Sequence, residues 1–138
     1  MKIKKSGIII FSLSILLLAG CREEVISPDN PAYNINEPVK ESVRNSYTFS
    51  INAANLFLNH IDFPNLTTNK TRAAFTITDY NSGYIDVTIL SNGRIIYQGQ
   101  FETNLNNEIK DLSGLFPTRI NIKCENFTGK VKIQLSGI

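Results

Sequence analysis

Leu58-Asn59-His60-Ile61-Asp62 holds the single histidine of the chain two residues from a carboxylate. An imidazole beside an acid can act as a general base, provided a nucleophile lies within hydrogen-bond reach. No serine sits in a strained, Gly-rich turn. Cys124 falls on the apolar phase of Ile120-x-Ile122-x-Cys124, where a buried and inert thiol is expected. A small hydrolase built on His60 is therefore the weaker reading, and no residue is assigned a catalytic role. Asp79-Tyr80-Asn81-Ser82-Gly83 begins like a calcium loop. A glycine at the fifth position and Leu90 at the twelfth break that pattern, so a tight Asx-rich turn explains it better. There is no P-loop, no GxGxxG and no cysteine cluster for a metal, and neither metal nor cofactor is expected.

Two groups of residues suit binding instead. Tyr80 and Tyr84 flank Asn81 and offer ring faces with an amide, the chemistry that holds a sugar. Tyr84 is out of phase with Ile85, Val87 and Ile89 and should point outward. Arg119, Lys123, Lys130 and Lys132 form the second group. A hairpin with the loop Glu125-Asn126-Phe127-Thr128 would set Ile122 opposite Val131 and Lys123 opposite Lys130. Like charges so placed suit an acidic glycan or a lipopolysaccharide head group, or simply a solvated face that keeps a sheet edge from aggregating.

The elements that must position these residues are strands. From Ser46 onward apolar residues recur with period two: Tyr47, Phe49, Ile51; Leu56, Leu58; Ala73, Phe75, Ile77; Ile85, Val87, Ile89; Ile95, Tyr97, Phe101; Ile120, Ile122, Cys124; Val131, Ile133, Leu135. No window of a dozen residues carries a helical stripe. Seven short strands, each with one apolar face, predict an all-β domain at 46–138, a seven-stranded antiparallel β-sandwich. Periodicity leaves immunoglobulin-like and jelly-roll strand orders both open. At Ser91-Asn92-Gly93 a three-residue loop with a bulge at Gly93 would set Ile89 opposite Ile95 and Val87 opposite Tyr97, keeping one apolar face.

Ahead of the domain, Met1-Lys2-Ile3-Lys4-Lys5 places three positive charges before an apolar run from Ile8 to Gly20. That run is too short for a spanning helix, which needs about 20 apolar residues, and reads as a secretory signal at 1–20. Leu18-Ala19-Gly20-Cys21 resembles the lipobox of bacterial lipoproteins. The resemblance implies cleavage before Cys21 and diacylation of its thiol, with residues 21–45 as a flexible tether rich in proline and polar residues. Position 22 is Arg, where many lipoproteins retained at the inner membrane have Asp, so the resemblance favours the outer membrane. Arg22-Glu23-Glu24 also resembles a surface-export tag, leaving the periplasmic and the cell-surface face both open. A lipid anchor of this kind holds a chain stably on a membrane.

Removal of residues 1–20 leaves 118 residues with eleven basic and twelve acidic side chains, a net charge of about −1. The positive charge of the full chain thus belongs to its signal, and nothing in the balance favours nucleic acid. With Cys21 lipidated, Cys124 is the one free thiol and no disulfide forms. One domain of this size is expected as a monomer.

Residues 83–135 resemble the second half of the C-terminal sorting domains of type IX secretion cargo. The matching stretches are Gly83-Tyr-Ile-Asp-Val-Thr-Ile, Asn92-Gly-Arg-Ile-Ile-Tyr, Ile109-Lys-Asp-Leu-Ser-Gly-Leu115, Thr118-Arg-Ile-Asn-Ile-Lys and Lys130-Val-Lys-Ile-Gln-Leu135. Leu115-x-Pro117 before a strand is similar to fibronectin type III modules. These resemblances imply an immunoglobulin-like sandwich and, for the first, a sorting role. Together with the anchor that the lipobox resemblance implies, the residues lead to the expectation of a lipid-anchored, non-catalytic binding or accessory module, with an envelope protein or a glycan as partner.

Overall fold

The structure, a computed structural model, describes residues 34–138. The signal at 1–20, Cys21 and the first part of the tether lie outside the described residues. The domain is all-β, an open antiparallel sheet with no helix among the described residues. Its six strands are β1 (Val39–Val43), β2 (Ser46–Asp62), β3 (Lys70–Ser91), β4 (Arg94–Phe101), β5 (Leu105–Ser113) and β6 (Arg119–Gly137). They pair in the order β1-β2-β6-β3-β4, and β5 pairs with β3 as well.

Six strands stand where seven were expected: three pairs of predicted runs fuse into β2, β3 and β6, and β1 and β5 form from stretches not read as strands. Glu125–Thr128 is no hairpin loop: β6 runs unbroken through it, and Ile122 pairs with His60 and Val87 instead of Val131. Asp79–Gly83 likewise lies within β3. The two bends sit side by side, with Ser82 paired to Thr128, and the β2 irregularity at Ala53–Leu56 falls in the same row, Leu56 pairing with Phe127. Asn55, Asp79, Gly83 and Asn126 all adopt positive φ there. Asn, Asp and Gly tolerate that conformation, so they serve a bulge as readily as a turn. Gly83 is required twice over, because a Cβ would run into the Glu125 carbonyl oxygen. Side chains close the row. The Asn55 amide donates to Thr128 Oγ1 (3.0 Å), and the Ser82 hydroxyl to the Asn126 carbonyl (3.2 Å).

Bending brings residues far apart along the strands into contact. Phe49 meets His60 of its own strand at 5.5 Å between ring centroids, and Phe75 of β3 meets Tyr97 of β4 at 5.1 Å. The period-two residues of both halves, from Tyr47 to Leu135, are buried in one cluster. The phase expected of the apolar runs therefore holds except at Ile95, which is exposed while Ile96 packs against the core, and the pairing between runs differs.

Two further differences have local causes. The β3–β4 turn has two residues, Asn92 and Gly93, both at positive φ, with Ser91 opposite Arg94. A bulge then skips Ile96, so Ile89 faces Tyr97 and Val87 faces Gly99. Burial of one face is achieved by the bulge and not by a longer loop. The folded region also begins earlier than Ser46. Within the stretch read as tether, Val39–Val43 pairs with Ser46–Ser50, and the Asn36 side chain both donates to the Ala54 carbonyl (3.0 Å) and accepts from the Ala54 amide (2.8 Å). Polar outward residues hide such a strand, since it has only an edge to cover and no core face to fill.

Candidate functional site

Every second residue of the first half of β2, the last half of β6 and the first half of β3 points away from the core. On that outer face the register aligns Val39, Ser50, Lys132 and Thr76 in one row, and Asn52, Lys130 and Thr78 in the next. β1 raises one wall with Val39, Lys40 and Glu41, the Lys40 ammonium being held by Asp62, and the result is an open cleft of about 440 Å³ floored by Thr48, Ser50, Thr76, Thr78, Lys130, Val131 and Lys132. Two ammonium groups set among four hydroxyls can hold an anion and orient the hydroxyls around it. The two lysines differ. Lys130 Nζ is 2.7 Å from Asp79 Oδ2, whereas Lys132 has no ion-pair partner among the described residues.

The four basic residues singled out from the sequence do not form one patch. Lys123 and Lys130 lie on opposite sides of the β6 bend: Lys123 pairs with Asn59 and Asp86, Lys130 with Asn52 and Thr78. Lys123 is committed to Glu125, whose hydrogen bond raises its pKa. Glu125 also accepts from Tyr84 and is held below the usual carboxylate range by Lys123 first and Tyr84 second. Hydrogen bonding to Glu125 pushes the Tyr84 phenol up in turn. Arg119 keeps its Nε buried with no hydrogen-bond partner among the described residues.

Tyr80, Asn81 and Tyr84 are engaged separately. Tyr80 turns inward against Phe127 (6.1 Å) and donates its hydroxyl to the Gly83 carbonyl (3.0 Å), Asn81 is exposed at the bend, and Tyr84 is half-buried beside Glu125. Sequence reasoning missed the hydroxyls of Thr48, Ser50, Thr76 and Thr78. Their outward phase was visible, but only the pairing of three distant strands gathers them.

His60 and Asp62 do come together, and two residues the sequence did not connect join them. Asp62 Oδ2 accepts from the Tyr47 hydroxyl (3.3 Å) and lies 3.4 Å from Lys40 Nζ, while Oδ1 accepts from the Phe63 amide (2.9 Å). His60 Nε2 stands 3.6 Å from Oδ2, too far for a hydrogen bond. Burial works to raise the Asp62 pKa, but the Phe63 amide and Lys40 outweigh it and hold the carboxyl below its ordinary value. Tyr47 is fully buried, and burial followed by the Asp62 charge pushes its phenol far up, away from service as a base or nucleophile near neutral pH. The cluster ties residue 47 to residue 62 of the same bent strand, a brace across the mouth of the fold.

Asp62→Ala removes the acceptor of a buried hydroxyl and is expected to cost about 1–3 kcal/mol, read from urea unfolding at pH 7. The ionised carboxylate adds a contribution of its own: because the folded-state pKa is depressed, that part is complete above the unfolded value of about 3.9. It fades as pH falls through the folded-state value, so the gap between Asp62→Asn and wild type should narrow in acid. A gap that widens toward low pH would contradict the brace.

Compared with protein-family models, with curated proteins and with solved structures, the chain matches none.

Proposed function

We propose that this chain is a lipid-anchored envelope protein that works as a non-catalytic binding module, taking an anionic ligand in the cleft beneath β1. The observation that carries the reading is Lys132, an exposed cation with no ion-pair partner among the described residues, set between the hydroxyl-bearing Ser50 and Thr76. An uncompensated charge in a concave, hydroxyl-lined surface suits a carboxylated or phosphorylated glycan of the envelope. The lipobox-like Leu18-Ala19-Gly20-Cys21 supports attachment to a membrane, with the outer membrane favoured by Arg22. The His60–Asp62 pair supports a structural role, since its hydroxyl partner, Tyr47, is buried and has its pKa raised.

For the architecture, we read the bent sheet as a two-layered β-sandwich. The Phe49–His60 and Phe75–Tyr97 contacts across the fold support this reading. Three strands pass unbroken through both layers, and there the arrangement departs from immunoglobulin-like connectivity.

Binding of acidic and neutral polysaccharides to the full chain tests the ligand class. Lys132→Ala should weaken binding of an acidic glycan by roughly tenfold, the effect of about 1.4 kcal/mol, and flatten its salt dependence. Lys123→Ala, on the other face, should change little. Equal losses from both substitutions, or preference for a neutral glycan, would count against the cleft.

A further inference from the structure

We infer that the apolar stripe Phe57, Ile61 and Phe63 rests on the lipid surface to which Cys21 ties the chain, an inference that depends on the lipid-anchor reading above. All three side chains are more than half exposed, at 67, 51 and 69 %. They lie within seven residues at one margin of the sheet. Residues 55–62 pair with β6 on one side only, because β1 covers β2 no further than Ser50 and the Ile35 bridge ends at Asn52. Large apolar side chains gathered on an open strand edge mark a contact surface and carry an aggregation cost when left bare.

The path of the chain says what covers them. Asn36 is fastened to Ala54 by two hydrogen bonds, so the polypeptide arriving from Cys21 joins the fold three residues from Phe57. Cys21 is thirteen residues ahead of Asn34, a length of chain that spans at most roughly 45 Å when fully extended. The tether from the lipidated end therefore meets the fold at this edge and not on the far side of the sheet. Two phenylalanines and an isoleucine placed there can enter the interfacial layer beside the acyl chains, as apolar faces of membrane-surface proteins do. Docking on this edge sets the lysine cleft, which lies on the outer face of the other half of the sheet, away from the lipid and open to a ligand.

The test uses the full-length lipidated chain reconstituted in phosphatidylethanolamine–phosphatidylglycerol vesicles. A nitroxide is placed on Phe57→Cys or Ile61→Cys, and on Thr76→Cys in the cleft as control. The first two positions are exposed, so the substitutions leave the core intact. Labels at 57 and 61 should collide with oxygen, relative to a water-soluble nickel complex, several-fold more often than the label at 76. Equal ratios at all three sites, with the chain still floating on the vesicles, overturn the docking and leave the anchor standing. Spin–spin broadening between labels at 57 identifies a second copy as the occupant and also overturns it. A chain that does not float with the vesicles overturns the anchor, and the docking with it.

Discussion

Phe127→Ala is expected to lower stability by about 3–5 kcal/mol, a large share of the roughly 5–15 kcal/mol that holds a domain of this kind together. Phe127 is fully buried at the β6 bend, opposite Leu56 and against the Tyr80 ring. Bends in β2, β3 and β6 converge on it, so the cavity would open where the two halves of the sheet are hinged. The row is tied by bonds from side chains to the backbone, as in the Ser82 hydroxyl donating to the Asn126 carbonyl, and it has little freedom to collapse into the space. The urea midpoint should fall with an unchanged slope, since both halves share one core and unfold together. Phe57→Ala removes the same ring from an exposed position and should stay within about 0.5 kcal/mol of wild type. A small loss at Phe127, or two separate transitions, would mean that the halves of the sheet do not depend on this hinge.

The thiol of Cys124 should be nearly inert while the protein is folded. It is buried on the inner face of β6, and burial pushes its pKa from 9.0 up to about 12. Because the thiolate is the reactive species, that shift alone lowers reactivity about a thousandfold, before restricted access is counted. In a Cys21→Ser chain, where Cys124 is the sole thiol, labelling at pH 8 should be slow in buffer and fast in urea. It should follow the unfolding transition, and so report the same midpoint that Phe127→Ala lowers. Rapid labelling in buffer would place Cys124 on the outer face and invert the phase of the whole strand.

Which residues face inward was legible from the sequence almost throughout. Tyr47, Phe49, Ile51, Phe75, Ile85, Ile122 and Leu135 are buried as their alternation required, because the two-residue period fixes side-chain direction wherever one face is covered. Which strand pairs with which was far less legible. Asn126 and Gly83 carry the chemistry of a turn, and nothing local distinguishes a turn from a bend continued by its neighbours. The difference lies in the alignment of three bends across β2, β6 and β3, a property of residues far apart in the chain. The lysines suffered from the same gap. Their outward phase was correct, yet Lys123 and Lys130 were placed opposite each other through a hairpin that does not form. Pairing instead separates them, leaving Lys132 among hydroxyls from two other strands. His60 and Asp62 could be linked by proximity in sequence, whereas Tyr47 and Lys40 reach Asp62 only because β2 folds back on itself.

The proposal of a lipid-anchored module depends first on the chemistry at Cys21, and the mass of the mature N-terminus measures it directly. The full chain, expressed in a bacterium with a lipoprotein pathway and recovered from membranes, should begin at Cys21 and carry a diacylglyceryl thioether, with or without a third acyl chain. Cys21→Ser should abolish the modification and release the domain from the membrane. A mature chain that retains Met1, or that begins elsewhere with Cys21 unmodified, would contradict the anchor.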